Sequence, residues 1–104
     1  HLFVSDMGVR SIFKYTIEGD GTLKDRQIFA SDLADGMTID ERGNLYLAGR
    51  GITVYDSLGK KIQHFDIPSA WTANVCFGGQ NRDILFITAS ESVYIIKMNV
   101  HGDK

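Results

Sequence analysis

Leu45-Tyr46-Leu47-Ala48 and, after Gly49-Arg50-Gly51, Ile52-Thr53-Val54-Tyr55 form two short runs rich in aliphatic, aromatic and β-branched residues. Such runs separated by a glycine-bearing link predict a pair of β-strands. The pair recurs on either side. Leu2-Phe3-Val4-Ser5 with Ile12-Phe13-Lys14-Tyr15 precedes it, and Leu85-Phe86-Ile87-Thr88 with Val93-Tyr94-Ile95-Ile96 follows it. The offset between copies is about 40 residues, the size of a four-stranded propeller blade. Eleven glycines against one proline, Pro68, punctuate the chain between these runs. Helical periodicity is weak, and Ser31 to Met37, which contains Gly36, reads as a loop.

With the strands of a blade labelled A to D from the axis outwards, the middle copy is complete. It spans 35–67, with A over Met37 to Asp40, B over Asn44 to Ala48, C over Ile52 to Tyr55 and D over Lys61 to Asp66. The first copy, in 1–30, has B, C and D. The last, in 72–100, has A (Asn74 to Phe77), B and C. The expected fold class is therefore all-β, a partial β-propeller of about two and a half four-stranded blades. Residues 1–104 then form part of one propeller domain. A chain that starts inside one blade and stops inside another is expected to cover its open sheet faces with missing blades or with a second copy. The rival architecture is a sandwich of ten short strands.

The 104 residues suffice for one small domain, and 43% hydrophobic with 23% charged residues exclude a disordered or coiled-coil chain. The net charge is −2 and the basic residues are scattered, which argues against a nucleic-acid partner. No apolar run approaches the roughly 20 residues of a membrane-spanning helix. A lone Cys76 excludes an intrachain disulfide, argues against thiolate-bound zinc, and is expected to be a small buried hydrophobe. No targeting segment is visible, so cytoplasm and periplasm both stay open.

Three stretches carry a resemblance. Leu33-Ala34-Asp35-Gly36-Met37-Thr38-Ile39-Asp40-Glu41-Arg42-Gly43-Asn44-Leu45-Tyr46 resembles the Pro-Asp-Gly-Met-x-x-Asp-x-x-Gly-x-Leu-Tyr/Trp signature of the SMP-30/gluconolactonase family, with Ala34 in place of proline. Thr72-Ala73-Asn74-Val75-Cys76-Phe77-Gly78-Gly79 is similar to the Thr-x-x-x-Phe-Gly-Gly stretch of that family. Leu2-Phe3-Val4-Ser5-Asp6 with the following Ile12-Phe13-Lys14-Tyr15 completes the match in order. The resemblance implies the C-terminal part of a six-bladed propeller, with a native end near Lys104 and the truncation N-terminal. It implies a divalent cation, Ca2+ or Zn2+, and hydrolysis of a lactone or related sugar-derived ester. It makes Asp35 the metal-ligand aspartate and a candidate general base. The further ligands it implies, a glutamate near the native start and an asparagine in an Asn-Gly-x motif upstream of Leu2, do not occur here. The chain alone is thus expected to hold a cation weakly, if at all, and to be inactive.

Up-down counting of strands puts the B-to-C and D-to-A loops on one face, where a ligand site is expected. That face collects Asp6, Arg10, Asp35, Arg50, Trp71, Thr72 and Asn74. Read from the residues alone, Asp35 is a hard-cation ligand or a turn cap before Gly36. Asp6 is a substrate contact or a turn cap. Asn74 and Thr72 are hydrogen-bond partners for a sugar-like ligand or for backbone. Trp71 is a pocket wall or loop packing. Arg10 and Arg50 suit solvated loop charges. Asp40 lies five strand steps of about 3.3 Å from Asp35, too far to share a cation, and reads as structural. His1, His64 and His101 are dispersed, and no G-x-S-x-G motif is present. The functional alternatives are a non-enzymatic propeller serving as scaffold or binding module, and a relative with condensation chemistry like strictosidine synthase.

Overall fold

The computed structural model describes residues 1–103; Lys104, the expected native end, lies outside the described residues. The described residues form ten strands and no helix: β1 Leu2–Asp6, β2 Ser11–Ile17, β3 Leu23–Ala30, β4 Gly36–Ile39, β5 Leu45–Gly49, β6 Gly51–Tyr55, β7 Lys61–Phe65, β8 Thr72–Gly78, β9 Ile84–Ala89 and β10 Ser92–Lys97. They pair antiparallel in sheets of three, four and three strands, ordered β1-β2-β3, β4-β5-β6-β7 and β10-β9-β8. The strand tally read from the repeat matches these sheets. No helix among the described residues could cross a membrane.

The chain divides into two compact units, 1–34 and 35–104. In the first, β1 meets β2 with Val4 opposite Phe13, and bulges interrupt the β2–β3 ladder. Phe3 and Phe29 pack edge to face with ring centroids 5.0 Å apart, and the Arg26 guanidinium covers Phe13 at 4.8 Å. These contacts use the aromatic quadrupole at ring edge and ring face respectively.

The second unit holds a core between two sheets. Alternation along β5 and β6 sends Tyr46, Ala48, Ile52 and Val54 to one face, where they meet Val75, Leu85 and Ile87 of the β8–β10 sheet. Tyr46 and Phe77 pack edge to face at 5.2 Å. All seven cluster residues are at most 3% exposed, so the apolar area they remove from water is the main force joining the sheets. Period-2 alternation also explains one correction. Cys76 is exposed, not buried, because it stands in β8 between the core residues Val75 and Phe77 and so falls on the other face of the sheet.

Asp40 fastens the β4–β5 turn. Its Oδ1 accepts the Arg42 and Asn44 N–H groups, each at 2.9 Å. Its Oδ2 accepts Asn44 Nδ2 and the Tyr46 hydroxyl, also at 2.9 Å each. The Gly43 N–H donates to the Asp40 carbonyl at 3.0 Å. Asp56 builds the same device between β6 and β7, its Oδ1 accepting the Leu58 and Lys60 N–H groups at 3.0 Å. The structural reading of Asp40 is what the structure contains.

Burial first, then the hydrogen bond to Asp40 and its negative charge, push the Tyr46 hydroxyl far above the ordinary value of 10.0, with Arg42 opposing. Above about pH 10 an unfolded Tyr46 loses its proton while the folded one keeps it, so the folded state binds more protons and stability falls as pH rises. Urea midpoints on either side of about pH 10 should therefore drop for the native chain, and less steeply for Tyr46→Phe.

Candidate functional site

Asp35 lies on the bend immediately before β4 and Trp71 immediately before β8, the first strands of their respective sheets. The blade repeat therefore puts them in equivalent places of adjacent sheets. Trp71 Nε1–H donates to Asp35 Oδ2 at 3.0 Å, a bond between residues 36 apart in sequence. The Asp35 backbone N–H donates to the Ala48 carbonyl at 2.8 Å, which ties the bend to β5. The Asp35 side chain is otherwise open to solvent. Among the described residues its Oδ1 receives no hydrogen bond.

Gly36 is needed for this approach. A Cβ there would lie 2.7 Å from Asn74 Cγ and 2.9 Å from Asn74 Cα, inside the van der Waals limit. Without it β4 sits directly against β8, and the Asn74 side chain lies beside the Asp35 loop. Asn74 Oδ1 accepts its neighbour Val75 N–H at 2.8 Å.

Thr72 is fully buried, and its hydroxyl is consumed by backbone. It accepts the Gly49 N–H at 2.8 Å and donates toward the carbonyls of Gly49 at 2.8 Å and Gly51 at 2.6 Å. Of its two sequence readings this is the backbone one. No part of the hydroxyl faces solvent, so Thr72 joins β8 to the β5–β6 link and holds the residue beside it, Trp71. Thr72→Val should lower stability by about 2 kcal/mol, because it leaves the Gly49 N–H without its acceptor in a buried place. Urea unfolding followed by the fluorescence of the single tryptophan measures this.

Asp6 belongs to the first unit, where its Oδ1 accepts the Gly8 N–H at 3.0 Å and caps the turn after β1. Arg10 and Arg50 are exposed. His64 Nδ1 lies 2.9 Å from Thr53 Oγ1 on the β6–β7 ladder. A pocket of about 320 Å3 opens at the other end of the second unit, lined among others by Asp40, Tyr46, Phe65, Ile96 and Lys97. Both oxygens of Asp40 are engaged internally, so it offers that pocket no free acid.

As a test of cation fit, Asp35 supplies a solvent-accessible carboxylate oxygen, the donor type that a hard cation takes. Among the described residues no group of three or more His, Cys, Asp and Glu comes together to complete a cage. Asp35 fits as one ligand of several. Sequence reasoning placed Asp35 and Trp71 on one face but missed the bond between them. The usable signal was their shared place one residue ahead of the innermost strand in consecutive repeats.

A family model described as the SMP-30/gluconolactonase/LRE-like region matches residues 1–91. The chain belongs to this family. Pentonolactonase XacC of Haloferax volcanii is 28% identical over 97 residues, which cover 85% of this chain and 33% of that protein. Among solved structures, the gluconolactonase XC5397 of Xanthomonas campestris is 33% identical with a TM-score of 0.81, over 91% of this chain and 33% of that one. Regucalcin from Agrobacterium tumefaciens, a calcium-binding protein, aligns with a TM-score of 0.84 at 18% identity, over 96% of this chain and 42% of that one. At that identity the likeness speaks for the fold. The fold of this SMP-30/gluconolactonase family member is all-β, a partial β-propeller. The chain spans 43% or less of the length of the curated relatives it matches.

Proposed function

We propose that this chain is the Asp35-bearing part of a cation-dependent lactone hydrolase, and that it is inactive without residues its longer relatives carry elsewhere. The observation that carries the reading is the exposed Asp35 carboxylate, held at Oδ2 by Trp71, within a family motif. The sequence relative XacC is a pentonolactonase and the structural relative XC5397 a gluconolactonase, which supports a small sugar-derived lactone as substrate class. Regucalcin, a calcium-binding protein of the same fold, supports a divalent cation.

A cation held there by Asp35 and further ligands would supply polarisation of the lactone carbonyl and stabilisation of the negative charge that develops on its oxygen. Asp35 contributes one oxygen ligand to it or takes a proton from the attacking water. Asn74, beside the Asp35 loop, serves in this reading as a hydrogen-bond partner for a hydroxylated ligand, and the Trp71 ring as a wall against a sugar ring. Calcium-type cations need several oxygens, so one carboxylate alone binds loosely. The open faces of the partial propeller are covered by the remaining blades or by self-association.

Two measurements test this reading. The chain by itself should release no acid from glucono- or pentonolactone above the buffer rate in a pH-stat with added Ca2+ or Zn2+; cation-dependent turnover would refute its inactivity. Joined behind the preceding part of XC5397, it should restore hydrolysis, with Asp35→Asn lowering kcat by about a hundredfold or more. A folded chimera that binds lactone without hydrolysing it would favour the non-enzymatic binding module.

A further inference from the structure

We infer that Trp71 is a positioning residue for Asp35, its indole N–H fixing Oδ2 so that Oδ1 is presented to a cation. The inference rests on the reading of Asp35 as a cation ligand given under Proposed function. Three observations carry it. The bond is well formed, at 3.0 Å, and it links the heads of two different sheets. The donor stands on a rigid base, because Thr72 is fully buried with its hydroxyl bonded to Gly49 and Gly51, and the Trp71 carbonyl accepts the Ser90 N–H at 3.2 Å. The acceptor is exposed, and its backbone is anchored at Ala48. Left to itself such a carboxylate would rotate, and binding would have to stop that rotation.

The type of donor matters. An indole N–H donates one hydrogen bond, accepts none and carries no charge. A lysine or arginine in its place would also hold Oδ2, but would neutralise the carboxylate and repel the incoming cation. Trp71 orients Asp35 and leaves its negative charge intact. Polarisation of the carboxylate by the indole opposes this by weakening Oδ1 as a donor. Loss of such outer partners usually weakens metal binding by about 10–100-fold, so orientation outweighs polarisation. At an exposed site the lower end, about tenfold, is expected.

Because the chain has one tryptophan, biosynthetic replacement alters Trp71 alone. Substituting β-(3-benzothienyl)alanine keeps the bicyclic shape and exchanges the N–H for sulfur, whereas 4-fluorotryptophan keeps the N–H. Each chain is titrated with Mn2+ alone, and paramagnetic broadening of the Gly36 amide is followed by two-dimensional NMR. The method reports weak sites and needs no turnover. In the native chain Gly36 and the indole proton should broaden before amides remote from Asp35, and Asp35→Asn should abolish that preference. The benzothienyl chain, with its amide dispersion otherwise unchanged, should need about ten times more Mn2+ for half-broadening of Gly36. The fluorotryptophan chain should behave as native. Equal midpoints for the native and benzothienyl chains overturn the positioning role and leave the cation reading standing. Absence of preferential broadening in the native chain overturns this inference at its first step, since Asp35 then draws no cation toward which Trp71 could orient it.

Discussion

Asp40→Ala is expected to destabilise the second unit by about 3–5 kcal/mol, the largest loss from any single side chain considered. Asp40 is 1% exposed and accepts four hydrogen bonds, from two backbone N–H groups, the Asn44 amide and the Tyr46 hydroxyl. Hydrogen bonds to a charged group contribute about 1.5–3 kcal/mol each, and the Tyr46 hydroxyl would be left in the core without its acceptor. Turn relaxation and entering water return part of this, which sets the range below the simple sum. The bridge from Asp40 to Gly102 is main-chain, made by the Glu41 N–H to the His101 carbonyl and the Asp103 N–H to the Ile39 carbonyl, so it survives the substitution and adds nothing to the loss. Urea unfolding read by Trp71 fluorescence gives the value through the midpoint at constant slope. Asp40→Asn, which keeps one acceptor but turns an N–H toward existing donors, should fall between alanine and native. A loss below about 1 kcal/mol for Asp40→Ala would mean that the turn forms without its carboxylate.

Gly36→Ala should lower stability by about 3 kcal/mol and also disturb the candidate site. The added methyl would meet Asn74 at its side chain and, at 2.9 Å, at its Cα. A side chain can swing away, but a Cα in β8 moves only with its strand. Overpacking of this kind costs about 1–3 kcal/mol, and separating β4 from β8 also stretches the Trp71–Asp35 bond. Two readouts should therefore move together: the urea midpoint, and the tryptophan emission of the folded chain as the indole loses its carboxylate partner. An unchanged emission spectrum with lowered stability would show that the two strand heads are held independently of Gly36.

Much of the architecture was legible because it depends on local rules. Alternation in Leu45-Tyr46-Leu47-Ala48 and Ile52-Thr53-Val54-Tyr55, with the glycines between them, defines β5 and β6 to within a residue. The 40-residue recurrence extends that reading to the other two sheets. Asp40 was recognisable as structural because its distance from Asp35 is set by strand rise alone. Cys76 was misjudged for a related reason. Period 2 fixes that Cys76 and Val75 face opposite ways, but not which face is covered, and that depends on which sheets pack together.

The candidate site was legible in type and not in connection. Asp35, Trp71, Thr72 and Asn74 stood out by loop position and chemistry. Sequence left Thr72 between ligand contact and backbone bond, and the three backbone partners of its hydroxyl decide for the latter. By itself the sequence determined the strands, their grouping into repeats and the family to which the chain belongs, because periodicity and turn chemistry act between residues near in the chain. Only the tertiary structure decided that the Trp71 indole holds the Asp35 carboxylate, that Gly36 lets β4 meet β8, and that Cys76 faces solvent. Those contacts join residues of different sheets, and their existence depends on how two packed surfaces fit, a property that no local pattern encodes.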